Sequence, residues 1–216
     1  VEKVRVLPAA IVDRVAARTQ QKYQVRFAWG PGGAARIAPD AHLLVWVDVL
    51  PASATADGRE RQRALRSLAT QLPEGPEVVL GHLGNATAIA GRVTRLQAER
   101  GDRCVVAIVA AGRHHAPGDD AAEAAGEAAD VPDAPDFAVE DLLAAGSVVD
   151  ALTDVGIDHT SPEAAAACAA YTGLRRAVKR LVSASESATA LEPSDVHTAL
   201  AAQDGLVTLR ESTSRA

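Results

Sequence analysis

Two apolar runs constrain this chain more than any other feature. Leu43–Val47 reads LLVWV, and Cys104–Ala110 reads CVVAIVA. A strand with one face in water alternates apolar and polar residues, and these runs do not alternate. They need cover on both faces. Between and after them lie segments with helical spacing. In DGRERQRALRSLATQL, a charged face opposes Leu65, Leu68 and Leu72. NATAIAGRVTRLQAE begins at Asn85, a residue suited to an N-cap. FAVEDLLAAGSVVDALTDVG is a longer helix, two or three further helices follow, and GLVTLR closes as a strand. YQVRFAW alternates as a strand, GPGGAARIAP turns into a short helix, and PEVVLG is a short strand. Strands alternating with helices predict an α/β fold, a three-layer α/β/α sandwich around a mostly parallel central sheet. Leu43–Leu50 and Cys104–Ala110 are its expected buried strands.

With 216 residues, 48% of them hydrophobic, one domain spanning 1–216 is expected. Residues 1–21 read as an extra N-terminal helix. Residues 113–136, rich in Ala, Asp, Glu, Gly and Pro, read as an acidic loop; 119–135 is expected to be irregular and outside the core. The net charge of −6 and the lack of a dense Lys/Arg run argue against nucleic acid or an acidic membrane as partner. No run is long enough to span a bilayer, and the first residues lack a signal-peptide pattern, so a cytoplasmic protein is expected. Cys104 and Cys168 each read as small buried hydrophobes.

Asp48 directly follows the first run. A carboxylate among apolar neighbours costs several kcal/mol unless something compensates it. In open α/β sheets, ligands gather outside the carboxyl ends of the strands. Asp48 there is a natural Mg²⁺ ligand, with the hydroxyls of Ser53 and Thr55 nearby. The alternative is a carboxylate paired with a neighbouring Arg or capping the next turn. Gly81 and Gly84 flank a tight turn before Asn85, whose helix start would suit an anion. An ordinary Gly-rich turn explains the same residues, and His82 is either an acid/base or a plain loop residue. Glu140 and Asp141 occupy the first turn of a helix, where acids favour the positive dipole end. Consecutive helical residues diverge by about 100°, so the two do not both face one metal. Arg26 is a candidate second anion contact or a strand residue paired on the surface. His114 and His115 precede the acidic loop without a further ligand at metal-site spacing.

Three segments together resemble the 2-phosphosulfolactate phosphatase family, in its short bacterial form. QKYQVRFAWGPGGAARIAPDAHLLVWVDVL is similar to a Q-x-x-[YH]-x-V-R-[FL]-x-W-G stretch followed by a strand ending V-D-V-L. GHLGNATAIAGRV is similar to G-x-L-R-N-A-x-A-V-A. AAG, then FAVEDLLAAGSVVDAL and SPEAAAACAAY, are similar to A-A-G-E, E-D-L-L-G-A-G and S-P-E-A. The resemblance implies an α/β/α phosphatase, dependent on Mg²⁺, that acts on a small anionic phosphorylated substrate. It places Asp48 in the metal and phosphate site as a catalytic residue, with Ser53 and Thr55 beside it. Gly81, Asn85 and Gly112 fall in the phosphate- and substrate-binding segments, and Glu140 with Asp141 match the catalytic acidic pair. A homo-oligomer is compatible with this reading. The chain departs from the pattern where Gly84 replaces an Arg, where Arg113 replaces an acid, and where an S-P-N-G-S-type loop has no counterpart before Gly81. Those departures carry the alternative: an anion-binding or scaffold member of the same fold without the chemistry.

Overall fold

The computed structural model describes residues 18–51, 58–113, 135–202 and 204–213. The expected N-terminal helix, apart from its last residues, lies outside them. So do Ser53, Thr55, His114, His115 and nearly all of the acidic segment.

The described strands are β1 (Val25–Trp29), β2 (Leu43–Val47), β3 (Glu77–Gly81), β4 (Val106–Ala110) and β5 (Val207–Arg210). They form one sheet in the order β1-β4-β2-β3-β5. The first four run parallel, and β5 joins β3 antiparallel. The expected α/β sandwich with a mostly parallel sheet is therefore present. The two apolar runs become the adjacent inner strands β2 and β4, in register from Leu43 opposite Val106 to Val47 opposite Ala110.

Successive strand residues face opposite sides. Leu43, Val45, Val106 and Ile108 therefore join one core, and Leu44, Trp46, Ala107 and Val109 join another. The second core is closed by α1 (Gly30–Ile37) and α2 (Gly58–Gln71), through Ala34, Ile37, Leu65 and Ala69. The first is closed by α3 (Ala86–Arg100), α4 (Val139–Asp154) and α5 (Pro162–Leu174), with Ile89, Val93, Leu143 and Val148 among its members. The short helices α6 (Val178–Ser183), α7 (Glu186–Thr189) and α8 (Pro193–Leu200) complete that layer.

Both inner strands are shorter than expected. β2 stops at Val47, so Asp48 lies just beyond the ladder; its N–H still donates to Gly81 O at 3.2 Å. β4 starts at Val106, because the Cys104 carbonyl is taken by the Gln24 side-chain amide at 3.1 Å instead of a strand neighbour.

β1 is an edge strand, and its outer side is occupied. Val25 N donates to His159 O, and Val25 O accepts from Ser161 N. The Gln20 amide donates to Phe27 O at 2.9 Å and accepts from Phe27 N at 3.0 Å. One side chain thus presents the donor and acceptor that another strand would bring.

At the opposite edge, Arg210 of β5 donates to the carbonyls of Ala69, Leu72, Pro73 and Pro76. It ties the strand to the end of α2.

Candidate functional site

The carboxyl ends of β2, β3 and β4 meet where successive crossovers leave to opposite faces. α2 follows β2 on one face, while α3 and α4 follow β3 and β4 on the other. That divergence opens crevices on both sides of β2.

The crevice between β2 and β4 is filled by the chain itself. Asp141, in the first turn of α4, accepts from Val49 N and from Gly112 N, each at 2.9 Å. One carboxylate holds both strand ends together. Burial and the nearby Asp48 charge push its pKa well above the usual range, and the two N–H donors oppose that rise. With both oxygens engaged, Asp141 positions the site. Gly112 serves this clamp through its N–H, at a φ of 71°.

The crevice between β2 and β3 opens into a cavity of about 250 Å³. Its polar wall is Asp48, Arg61, Gln62 and His82, and its apolar wall includes Leu65, Leu80, Val207 and Leu209. Arg61 Nη2 donates to Asp48 O at 2.9 Å, to the Asp48 carboxylate at 3.3 Å and to Val49 O at 3.3 Å. Burial raises the Asp48 pKa, Arg61 pulls it down, and Glu140 adds to the rise. His82 accepts from Gly84 N at Nδ1, at 3.1 Å, so its proton sits on Nε2. Burial and Arg61 lower the His82 pKa. The imidazole is neutral near pH 7 and offers an N–H.

Glu140 points away from Asp141, as helical geometry requires, and lines a cavity of about 500 Å³ with Arg113 and Ser187. It is 2% exposed, and its Oε2 has no hydrogen-bond partner among the described residues. Asp48, Glu140 and Asp141 repel one another, and Arg61 is the cation that faces Asp48. Asp48 and Glu140 offer carboxylate oxygens, the donor type a hard divalent cation takes, and they line different cavities. No group of three or more His, Cys, Asp or Glu placed to hold a metal occurs among the described residues.

Two sequence expectations need correction. Asn85 starts α3 but does not cap it. Its Oδ1 accepts from His82 N at 2.9 Å, and its amide donates to Leu80 O and Gly205 O. It builds the turn that carries His82 and leaves the helix start uncapped. Ser161 and Ser185 are true caps, of α5 and α7. Arg26 is not at this end of the sheet. It is 1% exposed and donates to Asp40, to Ile37 O at the end of α1, to Pro39 O just beyond it, and to Gln21 O and Tyr23 O. A cation at a helix C-terminus is favourable, which accounts for its burial there.

The glycines at the site are there for packing. A Cβ on Gly81 would meet Val45 Cγ1 at 2.8 Å, and one on Gly84 would meet Ala202 O at 2.1 Å. The segment after α8 therefore occupies the space that a side chain at position 84 would need. Arg113 exchanges two main-chain hydrogen bonds with Asp136 and pairs with Glu186.

Arg61 was not singled out from the sequence, although its spacing carried a signal. Positions 61, 65 and 68 share one face of α2, and Leu72 follows just after it, so Arg61 extends the leucine stripe to the cavity.

No protein-family model matches this chain, and no curated protein matches it.

Proposed function

We propose that this chain is an Mg²⁺-assisted phosphomonoester hydrolase of the 2-phosphosulfolactate phosphatase type. The observation that carries the reading is the unbalanced carboxylate group at the strand ends, with a buried Glu140 oxygen that has no partner among the described residues. Asp48 and Glu140 would hold the cation, and Asp141 would fix the two loops that bear the site. Bound Mg²⁺ would neutralise charge on phosphate oxygens as the ester bond breaks. Arg61 would face the phosphate from α2. His82 Nε2–H would donate to a phosphate or leaving-group oxygen, which suits a neutral imidazole.

A non-catalytic anion-binding role has its own support. Arg61 already partners Asp48, and Gly84 packs under Ala202 where the family pattern carries an Arg.

Hydrolysis of 4-nitrophenyl phosphate with and without Mg²⁺ separates the two. The hydrolase reading expects turnover that needs Mg²⁺ and falls at least about 100-fold in Asp48→Asn and in Glu140→Gln. Turnover indifferent to both substitutions, or none at all, rejects it.

A further inference from the structure

We propose that Arg113 reads a carboxylate on the leaving group of the phosphate ester. This rests on the hydrolase reading, in which Glu140 helps to hold the cation that meets the phosphate. Glu140 and Arg113 line one cavity, of about 500 Å³. An ester whose phosphate lies at Glu140 therefore has Arg113 in the same chamber. The resembled pattern carries an acid where this chain carries Arg113, so the role belongs to this chain.

Arg113 lies just past the carboxyl end of β4, where ligands of open α/β sheets gather. Its main chain is fixed there. Gly112 N donates to Asp141 at 2.9 Å, and Arg113 exchanges hydrogen bonds of 2.8 and 3.0 Å with Asp136. Its guanidinium already holds a carboxylate, that of Glu186, which is 83% exposed. An exposed pair of this kind contributes little, so a ligand carboxylate can take the place of Glu186. A planar guanidinium matches carboxylate geometry. Ser187 lines the same cavity, and its Oγ is buried without a hydrogen-bond partner among the described residues. It offers a second donor. Arg113 is the only Lys or Arg among the described lining residues, and Asp136, Glu140 and Glu186 are the acids. A ligand with two anionic groups is repelled by Glu140 until a cation answers that charge. The carboxylate is therefore read with the metal in place.

Two isosteric ligands test this without catalysis. The full chain with Mg²⁺ is titrated calorimetrically with 3-phosphonopropanoate and with 3-phosphonopropanamide. These differ in the charge of one planar group. The carboxylate should bind at least about 10-fold tighter. Arg113→Gln should abolish that gap and leave the affinity for the amide unchanged. Glu186→Gln, at an exposed position, should tighten the carboxylate about 3-fold by removing its competitor. Equal binding of the two ligands, a gap that survives in Arg113→Gln, no gain in Glu186→Gln, or binding of neither ligand overturns the inference. Hydrolysis of 4-nitrophenyl phosphate reports on the hydrolase reading separately. A gap that depends on Arg113, with no turnover, rejects hydrolysis and keeps Arg113 as the carboxylate contact. Mg²⁺-dependent turnover with no gap keeps hydrolysis and rejects the role of Arg113.

Discussion

Arg61 reaches Asp48 twice: Nη2 lies 2.9 Å from its main-chain oxygen and 3.3 Å from its carboxylate. The carboxylate that follows the first apolar run is therefore compensated by the next helix. The pair is unequal in its surroundings. Asp48 has Arg61 beside it, and Glu140 adds a second negative charge near the same carboxylate. Removing Arg61 should consequently cost more than removing Asp48. Both side chains are about a quarter exposed, at 25% and 23%, which limits the effect. Arg61→Ala should cost about 1–2 kcal/mol and Asp48→Asn less than about 1 kcal/mol in urea unfolding without metal. Equal costs would mean that the pair stands apart from the other two acids.

Metal binding gives an independent reading of the same acids. A ligand that binds only the folded state raises the melting temperature by mass action. Mg²⁺ should raise the Tm of the parent chain and not that of Asp48→Asn or Glu140→Gln. An equal rise in all three would remove these residues as ligands.

Asp141 should behave as a clamp. Asn offers one acceptor oxygen and turns an N–H₂ towards the second N–H donor. Asp141→Asn should therefore cost about 2 kcal/mol, and the Val49 and Gly112 amides should exchange faster than their neighbours. Unchanged exchange at both amides would show that the strand ends hold without it.

Two histidines that accept main-chain hydrogen bonds set an acid limit. His42 Nδ1 accepts from Val105 N at 2.8 Å, and His82 Nδ1 accepts from Gly84 N at 3.1 Å. Burial lowers both from 6.5, so the unfolded chain takes up these protons before the folded one. Their contribution to stability is whole above about pH 6.5 and falls as pH drops towards their folded values. Asp141 has the opposite sign. Its raised pKa means that charging it in the folded state costs stability as pH rises above 3.8. The histidine slope is isolated by substitution. His82→Gln and His42→Gln should each flatten the loss of unfolding free energy between about pH 7 and 5. A slope identical to the parent in both would remove these groups as its cause.

Gly84 should tolerate nothing larger. A Cβ there meets the Ala202 carbonyl at 2.1 Å, so Gly84→Ala must push the segment after α8 aside. A loss of about 2 kcal/mol is expected in urea unfolding. Gly84→Arg, which restores the residue of the resembled pattern, should be worse. A stable Gly84→Arg protein would show that this segment moves freely.

Local pattern carried most of the fold. The apolar runs specified β2 and β4, and the 3.6-residue spacing specified α2 and α4, because burial on two faces or on one stripe shows in consecutive residues. The strand ends were less legible. Asp48 leaves the ladder for a contact with Arg61, and Cys104 is claimed by Gln24, and neither partner is near in sequence. The site divided in the same way. The first-turn acids of α4 stood out by position, but only tertiary geometry separates Asp141, with both oxygens engaged, from Glu140, with one oxygen unpartnered among the described residues. Asn85 had the composition of a cap, yet Gly205, far along the chain, takes part of its amide. Arg61 shares the leucine face of α2, but one arginine among the many charges of that helix reads as solvated until β2 is laid beside it.

β5 has a consequence in time. It pairs with β3, supplies Val207 and Leu209 to the cavity wall, and is pinned to α2 by Arg210. A ribosome delivers every other strand of the sheet before this one. Until β5 emerges, Leu65 and Leu80 face water and the polar wall stands alone. The pocket is thus closed only after the other four strands have been made, and a nascent chain that stops short of Val207 carries Asp48 without the wall that encloses it.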